Sequence, residues 1–81
     1  MAVTASKISD DRDVYSIEYD KDAVSGDTIK ATFSNPGDKS VYAGLNDGTF
    51  IVTVEKGYKG TDEVLVEGNV GGSDEGTVTF G

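Results

Sequence analysis

The sequence contains no cysteine, no histidine and no tryptophan, and only one proline and one methionine. Without cysteine there is neither a disulfide nor a thiolate nucleophile. Without histidine no Ser–His–Asp or Cys–His site can be assembled, and the usual zinc ligand sets are missing. Most hydrolase chemistry is thereby excluded. No run approaches the roughly 18 apolar residues that a membrane-spanning helix needs. The first residues, Met-Ala-Val-Thr-Ala-Ser, lack the basic and apolar regions of a secretory signal. Bases are also scarce: seven against fifteen acids leave a net charge of −8 on 81 residues. Such a chain repels nucleic acid and anionic membranes, so neither is an expected partner. A basic protein surface suits it better.

The length predicts one domain, spanning 1–81. A domain so small buries only about 60% of the surface its unfolded chain exposes, so its stability rests on good packing. The stretch from Gly48 to Gly68, GTFIVTVEKGYKGTDEVLVEG, is the best organised. Two alternating runs, Phe50 to Val54 and Val64 to Val66, flank a corner marked by glycine and tyrosine. Alternation of period two predicts strands. Similar runs are Ala2 to Ile8, Val14 to Tyr19, Thr28 to Phe33, Val41 to Leu45 and Thr77 to Phe80. Turn residues punctuate them at Ser9 to Asp13, at Asp20 to Asp27, at Asn35-Pro36-Gly37-Asp38 and at Asn46-Asp47-Gly48. Asn69 to Gly76 reads as a glycine-rich loop. About seven strands with turn signals every 8–12 residues predict an all-β sandwich or small barrel, and helix should be nearly absent.

The alternation also predicts the core. Tyr15, Ile17, Tyr19, Ile29, Ala31, Phe33, Phe50, Val52, Val54, Val64, Val66, Val78 and Phe80 point inward. Ile51 and Leu65 fall on outer faces, where apolar side chains suggest contact with a partner. Tyr42, in a short strand with a glycine, is the tyrosine most open to binding. Tyr15 and Tyr19 should pack in the core with their hydroxyls at its edge.

Other constellations have plainer readings. Asp10, Asp11 and Asp13 cluster in one turn and Asp20 and Asp22 in the next, and calcium favours such carboxylates. The D-x-[DN]-x-[DN]-G loop is absent, however, so solvated acidic loops are expected and no metal is assigned. Glu63 and Glu67 lie four residues apart on one strand with no cleft implied, which is surface decoration rather than an acid–base pair. Gly68, Gly71, Gly72 and Gly76 are followed by no helix and no Lys-Ser/Thr, so they mark a hairpin, not a phosphate loop. No catalytic residue and no cofactor is assigned.

Asp47 to Val54, then Gly57-Tyr58-Lys59-Gly60-Thr61-Asp62, then Val64-Leu65-Val66, resembles the strand–corner–strand of bacterial and phage immunoglobulin-like domains. Ser25 to Gly37, SGDTIKATFSNPG, is similar to an early strand of these modules. The likeness covers most of Ser25 to Phe80 and implies an immunoglobulin-like β-sandwich. It also implies that Tyr58 is a corner tyrosine whose hydroxyl ties back to the backbone. The Cys…Trp…Cys core of antibody domains is missing, which sets that branch aside. In phages such domains decorate capsids or tails; in bacteria they serve adhesins and glycan-active enzymes. A chain that starts at Met and ends near its last strand suggests a complete small gene product. The resemblance therefore implies a non-enzymatic virion surface protein docking on the major capsid protein. The alternative is an extracellular adhesion or carbohydrate-binding module of a longer bacterial protein, with a glycan as ligand.

Overall fold

The computed structural model describes residues 3–9, 13–34 and 41–81. The Asn35 to Asp38 turn and the carboxylates of Asp10 and Asp11 lie outside the described residues. Among the described residues eight strands run in chain order: β1 (Thr4–Ser9), β2 (Val14–Glu18), β3 (Val24–Ser25), β4 (Thr28–Phe33), β5 (Val41–Leu45), β6 (Thr49–Thr53), β7 (Gly60–Gly68) and β8 (Gly71–Phe80). The single 3-10 turn among these residues, Lys21–Ala23, begins at Asp20, whose side chain accepts from the Asp22 N–H. All strand pairing is antiparallel, in two sheets of order β1-β2-β6 and β3-β8-β7-β4-β5. The chain is all-β, and the apolar faces of the two sheets meet in one core, as in a β-sandwich.

The core follows from strand alternation. Ile17, Phe50 and Val52 come from the three-stranded sheet; Ala31, Phe33, Val64, Val66, Val78 and Phe80 come from the other. Phe80 packs in this core, with its ring centroid 4.7 Å from that of Tyr15, 5.9 Å from Tyr58 and 6.5 Å from Phe33. The Tyr15 contact is edge-to-face, the arrangement aromatic quadrupoles favour. Tyr15 and Tyr19 are buried, with hydroxyls at the core's edge as expected. The Tyr15 hydroxyl accepts from the Gly81 N–H at 2.8 Å, and the Tyr19 hydroxyl donates to Asn46 Oδ1 at 2.9 Å.

Two expectations are corrected. Asn69 to Gly76 is not a loop: only Asn69 and Val70 turn, and β8 begins at Gly71. The glycines that suggested a loop instead mark close approaches of backbone. A Cβ on Gly76 would strike the Val3 backbone, and one on Gly72 would strike the Ala23 carbonyl. The Gly57 to Asp62 corner is also shorter than expected, because Gly60, Thr61 and Asp62 already pair with Phe80, Thr79 and Val78.

Candidate docking surfaces

Among the described residues three carboxylates are buried, and each fastens a connection between strands. Asp13 ends the turn before β2 with φ 49°, a left-handed conformation that Asp tolerates better than most residues. Its Oδ1 lies 2.7 Å from Lys7 Nζ, and its Oδ2 accepts from the Gly57 N–H at 2.6 Å. Its carbonyl also accepts from the Val54 N–H. The Lys7 ammonium, with help from the Gly57 N–H, holds this carboxyl below the usual carboxylate range. Asp74 of β8 accepts from the Asp20 N–H at 2.8 Å and so holds the 3-10 turn against the five-stranded sheet. Asp62 accepts from the Tyr58 hydroxyl at 3.2 Å. The resemblance implied a backbone acceptor for Tyr58; the carboxylate four residues on is the acceptor found.

Asp62 and Asp74 were not picked out from the sequence, and Asp13 was read there as part of a solvated acidic turn rather than as a buried, paired group. A signal existed for Asp62 and Asp74. Asp62 is in phase with Val64 and Val66, and Asp74 with Val78 and Phe80, so period two alone turns both inward. Of the acidic-turn candidates, Asp10 and Asp11 lie outside the described residues. Among the described residues no group of three carboxylates is placed to hold a metal, and Asp13 is engaged by Lys7.

The contact candidates separate onto opposite faces. Ile51, 49% exposed, stands on the outer face of the three-stranded sheet, opposite Ser16. Leu65 is half-buried on the outer face of the five-stranded sheet, between Thr32 and Glu75. Tyr42 pairs with Ala31 through the backbone, and its side chain lies outside the described residues. One flat partner therefore cannot cover Ile51 and Leu65 together.

The two outer faces differ in charge. Glu63, Glu67, Glu75 and Lys30 stand on the five-stranded sheet, where shallow open depressions run beside Leu65 and between Lys30 and Glu67. Glu63 and Glu67 are both exposed there, with Leu65 between them, which agrees with surface decoration. The three-stranded sheet turns out Thr4, Ser6, Ser16, Thr49, Ile51 and Thr53, with Val14 half-buried among them and Glu18 as the one acid in its paired rows. Ile8, the unpaired residue at the β1 bulge, is 56% exposed. No family model, no curated protein and no solved structure matches the chain.

Proposed function

We propose that this chain is a non-enzymatic structural or interaction domain of immunoglobulin-like type. Its partner is a protein, the major capsid protein of a phage virion that it decorates. The observation that carries the non-enzymatic half is the use of the buried carboxylates. Asp13, Asp62 and Asp74 each accept hydrogen bonds that fasten a turn, a corner or a strand, which is structural work. Strand order supports the immunoglobulin-like half. Within the sheets β1-β2-β6 and β3-β8-β7-β4-β5, the runs β1-β2-β6 and β8-β7-β4 follow the order A-B-E and G-F-C of that fold, with β3 and β5 outside this match. Tyr58 then stands at the E–F corner, where such sandwiches carry their corner tyrosine. The fold alone hosts many functions, so the capsid assignment leans on the resemblance and on the acidic, solubilising surface.

Mass spectrometry of purified virions tests this reading. The expected result is the chain at a fixed ratio to the major capsid protein. Recovery from envelope or medium inside a longer polypeptide would overturn it and favour the adhesion or glycan-binding module instead.

A further inference from the structure

The most unusual surface is the outer edge of β6. This strand, Thr-Phe-Ile-Val-Thr, has no charge and no proline in a chain of which 27% is charged. It ends the three-stranded sheet, and among the described residues no strand pairs with its far side. The ladder fixes which backbone groups point there. At one end the Tyr19 N–H donates to the Gly48 carbonyl; at the other the Val54 N–H donates to the Asp13 carbonyl. Register is continuous between these pairs, and hydrogen-bonded pairs alternate with non-bonded ones. Phe50 and Val52 therefore bond to β2, while Thr49, Ile51 and Thr53 direct N–H and C=O away from the sheet.

Such an edge is a template for another strand, and proteins usually blunt it with lysine, proline or a bulge. β1, the other edge of the same sheet, carries both Lys7 and a bulge between Lys7 and Ser9. On that flank the Val3 backbone also packs against Gly76 of β8. β6 has no such guard. β5, the outer strand of the other sheet, is also uncharged, and only Asn46–Gly48 separates it from β6.

Building on the docking function proposed above, we infer that the outer edge of β6 receives an extended segment of a different protein as an added strand. The segment has an uncharged β-branched centre and basic residues beyond its ends. Charge selects this occupant. The first acids outside β6 are Asp47 and Glu55, both exposed, and the chain as a whole carries −8. A second copy paired antiparallel about Ile51 would set Asp47 opposite Glu55 at both ends, and like charges placed so are destabilising. A basic-flanked strand meets the same acids favourably. Main-chain bonds to Thr49, Ile51 and Thr53 would supply affinity, and contact with Ile51 on the outer face would supply register.

The test uses the full chain and a capped synthetic peptide, Lys-Lys-Val-Thr-Val-Thr-Val-Lys-Lys, read by residue-resolved amide exchange. Millimolar peptide should slow exchange of the Thr49, Ile51 and Thr53 amides by about tenfold or more, leaving Phe50 and Val52 as slow as before. The same peptide with Glu for Lys, or N-methylated at alternate residues, should not. Ile51→Pro removes only an outward N–H and spares the ladder to β2, so it should fold and lose the peptide effect. The N-methylated peptide keeps the test decisive if that variant fails to fold. Unchanged exchange at all three amides overturns the inference. So does protection that grows with protein concentration alone, which would make the occupant a second copy. A negative peptide result with the chain present on virions would sink the edge and leave capsid docking standing. Protection in a chain absent from virions would do the reverse.

Discussion

Phe80→Ala tests the packing argument at the point where chain position is most misleading. Phe80 is the next-to-last residue, and chain ends usually fray and tolerate change. Here it is 1% exposed and contacts the rings of Tyr15, Phe33 and Tyr58, which come from three other segments. Burying such a ring stabilises by about 1.5–3 kcal/mol through transfer alone. The cavity left by truncation adds to that, so Phe→Ala in a core costs about 3–5 kcal/mol. For 81 residues the whole stability is on the order of 4–12 kcal/mol at the usual yield per residue. The substitution should therefore remove a quarter or more of it. Urea unfolding followed by tyrosine fluorescence and circular dichroism measures the loss. With a slope of about 1–2 kcal/mol per molar, the midpoint should fall by about 1.5 M or more, or the variant should be unfolded without urea. A loss under about 1 kcal/mol with an unchanged slope would refute the claim that the terminal strand closes the core.

The remaining predictions probe the ties and the surfaces. Asp13 has a folded pKa held below its unfolded value, so its stabilisation is fully present above the ordinary carboxylate range and disappears as pH falls through the lowered value. Asp13→Asn, which still tolerates positive φ, should trail the wild type in stability at neutral pH, with the gap closing as pH falls through the lowered pKa of Asp13; a gap independent of pH would show that the Lys7 pairing is not the cause. Gly76→Ala places a methyl against the Val3 backbone and should cost about 1–3 kcal/mol while loosening β1, read as faster amide exchange there. Unaltered β1 exchange would contradict that contact. Because Ile51 and Leu65 stand on opposite faces, Ile51→Asp and Leu65→Asp should both fold, and only one should weaken capsid binding in a co-sedimentation assay. Loss of folding in either would mark that residue as core, and equal weakening by both would exclude a partner on one face.

Much of the fold was legible because one face of each strand is buried. Tyr15, Ile17 and Tyr19, or Phe50, Val52 and Val54, declare their inner face through period two. What was not legible came from backbone meeting backbone. Glycine signals a turn and a close approach with the same letter, so Gly72 and Gly76 read as loop residues although Ala23 and Val3 lie against them. The buried carboxylates were obscured by a habit of assigning acids to water, although Asp62 and Asp74 keep the inward phase of their strands. Asp13 gave no such signal, because its partners Lys7 and Gly57 lie on other segments. The separation of Ile51 from Leu65 required the sheet order, which strand propensity does not supply.

The most direct test of an open β6 edge is residue-resolved amide exchange on the free protein at low concentration. The structure predicts alternation along β6: Phe50 and Val52 protected by their bonds to β2, and Thr49, Ile51 and Thr53 exchanging close to unprotected rates. Uniform protection of all five would mean that the edge is already covered, and would contradict strand addition at β6.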